Sequence, residues 1–312
     1  MGREPDRVMD QITERPRRSR LAIIFLSPDE PRLRTGWRLL LHTLLLVAIT
    51  AILLFAYILA PGFPNLTAST EPYLLTGIQL LVITLATWIA RRFIDRRSFR
   101  SLGFHIDQHS LTDLAFGFCL PALMMGLIFA FEWGMGWLHF EGWVWNAAPP
   151  ATILTGLLGG LATFIIVGYY EELLFRGYHL QNMIDGTNMS WALFLSSAVF
   201  SILHIGNPNS TWVSTLGLLA AGYFMAYGWV RTRRLWLSIG LHIGWNFFEG
   251  PVFGFPVSGL SATHLIHQSV DGPVLITGGA FGPEAGLVIL PVIALSAALI
   301  WVYTGGKQSR PS

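Results

Sequence analysis

The sequence predicts an all-α protein that crosses a membrane several times, folded as a polytopic bundle of about eight transmembrane helices with both termini in the cytosol. Three observations carry this prediction: the composition, the lengths of the apolar stretches and the positions of the arginines. Of the 312 residues, 53% are hydrophobic and only 12% are charged, with a mean hydropathy of +0.53. Because soluble domains carry roughly 25% charged residues, the composition excludes an ordinary soluble enzyme.

Apolar stretches of the length that crosses a bilayer account for most of the chain. A transmembrane helix needs about 20 predominantly apolar residues, and the fifth and seventh stretches are shorter than the others. In chain order, the predicted spans are 36–60, 73–90, 111–133, 153–184, 191–206, 211–230, 235–249 and 285–303.

The lysines and arginines orient these spans. Nine of the 20 precede or begin the first span, five follow the second, three follow the sixth and two follow the eighth. No lysine or arginine occurs in the alternate loops, 61–72, 134–150, 207–210 and 250–284. Because Lys and Arg collect in cytoplasmic loops, we predict an integral multi-pass protein of the cell (plasma or inner) membrane. Both termini are then cytosolic, and the one remaining cation is Arg176, within the fourth span.

The chain divides into one membrane domain and two flanking tails. Residues 1–34 mix arginines with acidic residues and prolines, which predicts a disordered cytosolic tail. Residues 35–305 hold the eight spans, and residues 306–312 form a second, short cytosolic tail. The single cysteine, Cys119, excludes a disulfide framework and a zinc site built from thiolates.

The fourth and fifth spans form a hairpin that brings two polar residues to the same depth. The strongest turn signal between them is "DGTN", Asp185 to Asn188. Glu171 precedes Asp185 by 14 residues, and His204 follows Asn188 by 16. At 1.5 Å rise per residue both lie roughly 20–25 Å along their helices from the turn. An antiparallel pair therefore places Glu171 level with His204.

The seventh span adds two more polar groups. His242 and Asn246 lie eight and twelve residues beyond Arg234, which is roughly 12 and 18 Å along a helix. Their i, i+4 spacing puts both on one helix face. We therefore expect a carboxylate, two imidazoles and a carboxamide to meet inside the bilayer, at its middle or toward its cytosolic half.

Two further charges in the fourth span predict a buried ion pair. Glu172 and Arg176 are spaced i, i+4 in the favourable order, so we expect them to support the site as partners. Glu171 and Glu172 differ by about 100° around a helix, so they face different neighbours. Because ionisable residues inside a span are costly and functional unless paired, Glu171 is the candidate for chemistry.

The predicted cluster is suited to hydrolysis of an amide bond by either of two routes. Two histidines and a carboxylate, here Glu171, His204 and His242, match the ligands of a catalytic zinc site with one open position for water. Without a metal, the glutamate can act as general base and a histidine can orient the water or protonate the leaving amine. The asparagine can then donate a hydrogen bond to the oxyanion. The sequence contains neither HExxH nor a G-x-S-x-G elbow.

Three motifs in this region resemble a known family. "EELLFR" (Glu171–Arg176) is similar to the EExxxR motif of the CPBP family, which comprises type II CAAX prenyl endopeptidases and bacteriocin-processing or immunity (Abi-like) membrane proteins. "FSILH" (Phe200–His204) resembles its FxxxH motif and "HIGWN" (His242–Asn246) its HxxxN motif. The three occur in the family's order, and the resemblance covers about residues 150–250.

The resemblance implies an intramembrane peptidase with a cavity open to the cytosol. Glu171 would activate the nucleophilic water, and His204 and His242 would hold that water or a divalent metal such as zinc. Asn246 would help to form the oxyanion site, with Glu172 and Arg176 in support. The partners expected are the lipid bilayer and a membrane-associated protein or peptide substrate, of which a prenylated CAAX protein is one case; no nucleic acid is expected.

Two other functions use the same polar cluster. Intramembrane Glu, His and Arg also form the proton relays of transporters, although the chain has no internal inverted repeat of the kind many transporters show. A non-catalytic membrane scaffold or immunity protein would have the same helices without catalysing a reaction. Such a scaffold would not need Glu171, His204, His242 and Asn246 together, so the sequence favours the peptidase.

Overall fold

The computed structural model describes residues 19–28, 30–59 and 71–305. Most of the predicted tail 1–34, most of the loop 61–72 and the tail 306–312 lie outside the described residues. The helices, numbered in chain order, are α1 (Arg20–Phe25), α2 (Thr35–Leu59), α3 (Glu71–Ile89), α4 (Ser110–Gly134), α5 (Pro150–Glu172), α6 (Leu180–Gly186), α7 (Met189–Leu203), α8 (Trp212–Thr232), α9 (Trp236–Phe247), α10 (Val274–Thr277) and α11 (Ile289–Gly305). The two strands are β1 (Leu138–Trp143) and β2 (Ile266–Val270).

Each predicted span coincides with a helix, so the predicted fold class, an all-α membrane bundle, is confirmed. Within the described residues five helical segments are long and apolar enough to cross a membrane, and α7 and α11 are apolar but shorter. The helix of the seventh span, α9, has only 12 residues. The fifth and seventh spans are thus short in the structure as well as in the sequence.

Three helices continue into π-helical turns. These turns are Ala90–Ile94 after α3, Leu173–His179 after α5 and Phe248–Val252 after α9. The second joins α5 to α6, so that the chain stays helical from Pro150 to Gly186. Wider π turns are rare and often occur at functional sites, and this one begins directly after the two glutamates of the EELLFR segment.

The short helix α9 lies between α4, α5 and α8, and glycines bring it unusually close to α4. A Cβ added to Gly240 would lie 2.3 Å from the carbonyl oxygen of Leu114, and one added to Gly244 would lie 2.2 Å from that of Phe118. Most residues of α9 are buried. The two polar residues of the HIGWN segment are therefore held in the interior of the bundle.

The hairpin predicted at "DGTN" is present. Helix α6 ends at Gly186, and α7 begins at Met189 after Asn188, whose side chain accepts a hydrogen bond from the backbone N–H of Trp191 at 3.0 Å. Such a cap satisfies one of the free N–H groups at a helix start. Helices α6 and α7 lie against each other, which returns the chain toward the level of Glu171.

The arginine-rich segments meet at one end of the bundle, here called the arginine end and defined by Arg32, Arg38, Arg97 and Asp185. Oδ2 of Asp185 lies 2.8 Å from Arg32, 3.3 Å from Arg38 and 3.5 Å from Arg97. The N-terminal segment, the loop after α3 and the C-terminal end of α6 therefore lie together at one end of the bundle.

Part of the segment 1–34, which is predicted to be a disordered tail, contacts the rest of the bundle. Ser19 caps α1, Leu26 and Leu33 form an isolated β-bridge, and the Arg32 side chain is buried. A buried guanidinium requires an opposite charge, and Asp185 supplies it from a distant part of the chain. The described residues between 19 and 34 thus contact the bundle, and the composition of the segment does not reveal these contacts.

A small antiparallel sheet joins the two long loops that lack lysine and arginine. Its register runs from Leu138 opposite Val270 to Trp143 opposite Ile266, with an irregularity at Glu141. The sequence analysis predicts only loops here. The strands are short and far apart in the chain, so no local pattern indicates that they pair.

Candidate active site

One cavity brings the predicted site residues together. It has a volume of about 870 Å³ and is bounded by α3, α5, α7, α8, α9 and the loop at 257–263. Glu171, His204, His242 and Asn246 all contribute to its wall. Its volume lies within the range of about 300–1,000 Å³ typical of ligand sites. Side chains from three separate helical elements thus share one concave space.

The two adjacent glutamates have different surroundings. Glu171 faces the cavity with 16% of its side chain exposed, whereas Glu172 is fully buried. Oε1 of Glu172 accepts a hydrogen bond from Nη1 of Arg176 at 2.7 Å, so the ion pair predicted from their spacing is present. Arg176 also donates to the carbonyl oxygen of Gly222 at 3.0 Å. One carboxylate is therefore anchored, while its neighbour faces the cavity.

His242 lies between both carboxylates. Its Nδ1 is 2.8 Å from Oε1 of Glu172, and its Nε2 is 3.8 Å from Oε2 of Glu171. Because Glu172 is an acceptor held by a guanidinium, the proton of the neutral imidazole resides on Nδ1, which leaves the Nε2 lone pair directed at Glu171. A separation of 3.8 Å is too long for a direct hydrogen bond, so both atoms are left to hydrogen-bond a water that lies beside them in the cavity. The sequence analysis did not predict this contact between Glu172 and His242.

His204 lies at the end of α7 and is oriented by its own helix. Its Nδ1 is 2.7 Å from the carbonyl oxygen of Phe200, so Nδ1 donates to that carbonyl and Nε2 takes no part in this bond. The Phe200 ring centroid lies 4.6 Å from that of His204 and 6.3 Å from that of His242. The guanidinium carbon of Arg176 is 4.8 Å from the same centroid. Phe200 is therefore the common packing surface of three polar side chains, a role that spacing alone does not reveal.

Asn246 lies one turn beyond His242 on α9. Both residues line the cavity, as their i, i+4 spacing predicts. Asn246 is 7% exposed, and its carboxamide is a group that can donate a hydrogen bond.

Glu284 is a further carboxylate of the cavity wall, and the sequence analysis missed it. It accepts hydrogen bonds from Nε1 of Trp245 at 2.8 Å and from the hydroxyl of Ser258 at 2.6 Å. Burial raises the pKa of Glu284 above the ordinary value of a glutamate. Through these two bonds it ties the loop at 257–263 to α9. The sequence offers only a weak signal for this role, namely an acidic residue in a loop without lysine or arginine.

The predicted metal ligands do not form a ready site. Within the described residues, no group of three His, Cys, Asp or Glu side chains is placed to hold a metal ion. The donor chemistry of Glu171, His204 and His242 would suit zinc, since both histidines engage protein acceptors through Nδ1 and leave Nε2 available. In this arrangement, however, the three do not fit a metal, so no reaction step below is routed through one.

The segment that carries the site matches a family of membrane proteases. Residues 151–248 match the family model described as "Type II CAAX prenyl endopeptidase Rce1-like". This match confirms the resemblance drawn from the three motifs, and the matched residues extend from the start of α5 to the end of α9.

Two proteins of Bacillus subtilis (strain 168) are similar to this chain. "Uncharacterized protein YyaK" is 22% identical over 306 residues, which cover 92% of this chain and 98% of that protein. "Putative membrane peptidase YdiL" is 26% identical over 136 residues, which cover 44% of this chain and 48% of that protein. The first similarity thus extends over the whole bundle, and the second is limited to about half of each chain.

Proposed function

We propose that this protein is an intramembrane endopeptidase that hydrolyses a peptide bond of a membrane-associated protein or peptide. One observation carries the proposal: Glu171, His204, His242 and Asn246 line a single cavity, inside the segment that matches a family of membrane proteases. The five helical segments that are long and apolar enough to cross a membrane support its placement in the cell membrane.

In the proposed reaction, Glu171 activates a water molecule. The water bridges Glu171 and Nε2 of His242 from the cavity side, since two atoms 3.8 Å apart can both hydrogen-bond one water that lies beside them. Glu171 removes a proton as general base, and the oxygen attacks the carbonyl carbon of the peptide bond. The ion pair of Glu172 and Arg176 acts through His242, because the hydrogen bond from His242 to Glu172 fixes the tautomer and the orientation of the imidazole.

The tetrahedral intermediate then carries a negative oxygen that needs hydrogen-bond donors. The Asn246 carboxamide supplies one, and such a donor contributes more in a buried cavity than in water. The proton taken by Glu171 passes to the leaving nitrogen, directly or through a histidine. The C–N bond then breaks, and the two products are a carboxylic acid and an amine.

The proposal is tested with purified protein in detergent and a panel of membrane peptides, some prenylated at a C-terminal cysteine and some unmodified. Glu171→Gln and His204→Ala should abolish cleavage while the helical circular dichroism is retained. Glu141→Gln is the matched control, since Glu141 is an exposed glutamate of β1, and it should cleave like the wild type. Full activity in Glu171→Gln would refute the role of that carboxylate.

The same preparation separates the alternatives. A proton-coupled carrier would cleave no peptide but would move protons across vesicles in a Glu171-dependent manner, whereas a scaffold would do neither. A divalent chelator distinguishes the two hydrolytic routes. Loss of cleavage on chelation, with recovery on added zinc, would establish a metal-dependent reaction.

A further inference from the structure

The cavity lies toward the end of the bundle that lacks lysine and arginine. Its wall includes Asn207 from the loop after α7 and residues 257–263 from the loop after α9. It also includes Tyr73 and Gly156, which lie near the first residues of α3 and α5. Each of these positions belongs to, or adjoins, a loop without a single lysine or arginine.

The arginine end, in contrast, is closed by a buried polar network beside α6. Arg38 donates a hydrogen bond to Asn182 at 2.5 Å, and Arg91 donates to Asp95 at 2.9 Å. Tyr178 packs against this network with its hydroxyl 3.4 Å from Asp95. All five side chains are at most 2% exposed, and the cavity wall includes none of them.

We infer that the cavity opens to the side of the membrane opposite the cytosol, and that it takes an extracytoplasmic segment of a membrane-anchored peptide or protein. The inference rests on the proposed function and on the rule that arginine-rich loops stay in the cytosol. It differs from the cytosolic opening that the family resemblance implies. A prenylated protein held on the cytosolic leaflet would meet the closed end of this bundle.

The charged side chains of the cavity wall further limit the class of peptide that the cavity can bind. Its wall within the described residues contains the carboxylates Glu171 and Glu284 and no lysine or arginine. Small and uncharged polar residues, Thr76, Ser261 and Thr263, form much of the remaining polar surface. The imidazoles of His204 and His242 share this wall, but no lysine or arginine of the wall offsets Glu171, and an uncompensated carboxylate raises the local concentration of cations. A neutral or cationic peptide segment therefore fits this wall better than an acidic one.

Thiol accessibility in cells tests the direction of the opening without any need for activity. The native Cys119 is replaced by Ala, and single cysteines are introduced by Ser261→Cys and Thr263→Cys at the exposed loop beside the cavity. Ser98→Cys and Ser190→Cys, at exposed positions near the arginine end, are the matched controls. A charged methanethiosulfonate that does not cross membranes is applied to intact spheroplasts and to inverted vesicles.

We expect the two cavity cysteines to react in spheroplasts and the two controls to react in inverted vesicles. Thr163→Cys, deeper in the cavity wall, should react from the same side as Ser261→Cys if the cavity is continuous with it. The reverse pattern, with the cavity cysteines reached only from the cytosolic side, would overturn the inference.

Cleavage in proteoliposomes tests the substrate class. Acylated fluorogenic peptides that differ only in Lys or Glu beside the scissile bond are added outside or enclosed within, and thiol labelling reports the orientation of the protein. Cleavage should require presentation from the side of Ser261, and the Lys peptides should have a kcat/KM about tenfold or more above that of the Glu peptides. Cleavage only from the arginine end would overturn the inference. Failure to cleave from either side would refute the peptidase proposal, while the labelling would still decide the direction of the opening.

Discussion

The ion pair beneath the site offers the sharpest test of how the cluster is held. Glu172 is fully buried and accepts from both Arg176 at 2.7 Å and His242 at 2.8 Å. Glu172→Gln keeps the shape of the side chain but leaves a guanidinium that is 1% exposed without its counter-charge. Removing one partner of a buried pair costs about 3–5 kcal/mol, so Glu172→Gln and Arg176→Met should each lower the free energy of unfolding by about that amount.

The double variant separates stability from catalysis. In Glu172→Gln/Arg176→Met both charges are gone, and replacing a whole buried pair is often close to neutral. Its loss of stability should therefore fall short of the sum of the two single losses by at least about 2 kcal/mol. Peptide cleavage should still fall, because His242 loses its charged acceptor. A carboxylate that orients a reacting histidine in this way typically contributes about 10- to 100-fold in activity.

Both quantities can be measured on the same preparations. Unfolding is followed by tryptophan fluorescence in mixed micelles with increasing SDS, and cleavage is followed with the fluorogenic peptides. Single variants as stable as the wild type would refute the structural role of the pair. A double variant with unchanged kcat would refute the claim that Glu172 acts through His242.

Three further predictions follow from particular contacts. Gly244→Ala would place a Cβ 2.2 Å from the carbonyl oxygen of Phe118, whereas the Cβ of Gly77→Ala meets nothing within 4 Å. Thermal unfolding should therefore show a lower Tm for Gly244→Ala. The Tm of Gly77→Ala should be unchanged or raised, because alanine favours helix over glycine by about 0.5–1 kcal/mol. Phe200→Ala should lower the free energy of unfolding by about 3–5 kcal/mol. Phe200→Leu should retain most of the stability but lose cleavage, because His204 would be misplaced. Equal kcat for Phe200→Leu and the wild type would contradict the role of the ring. An excess of divalent chelator should leave kcat unchanged if Glu171 acts as a general base without a metal, and it should abolish cleavage if Glu171, His204 and His242 hold zinc.

The sequence predicts the helices and the convergence of the site because both depend on regular geometry. A stretch of apolar residues in a bilayer has to be helical, and a fixed rise per residue converts spacing into depth. For that reason the turn at Asp185 was enough to bring Glu171 and His204 to one cavity. The i, i+4 rule in the same way predicted the pair of Glu172 and Arg176 and the shared face of His242 and Asn246.

The features that sequence reasoning missed depend on contacts between distant segments. Arg32 pairs with Glu30 nearby and with Asp185 at the end of α6, and β1 pairs with a strand more than a hundred residues further along the chain. Glu284 enters the cavity from a loop whose course follows from no periodic pattern. The contact of Glu172 with His242 requires the packing of α5 on α9, which composition and spacing leave undetermined.

The two shortest of the predicted spans explain how water reaches a carboxylate inside a membrane. Helix α7 has 15 residues, and α9 has 12 followed by a five-residue π-helical turn. Both are shorter than the about 20 residues that cross a hydrocarbon core of about 30 Å. Each therefore leaves non-helical backbone at membrane depth, which is tolerated only where it is covered by protein or faces a water-filled cavity. The chain that follows them, Asn207 and residues 257–263, forms the wall of the cavity around Glu171. Because α7 and α9 are short, they carry His204 and His242 to the site, and the non-helical chain that follows them forms the polar, open space in which hydrolysis can take place.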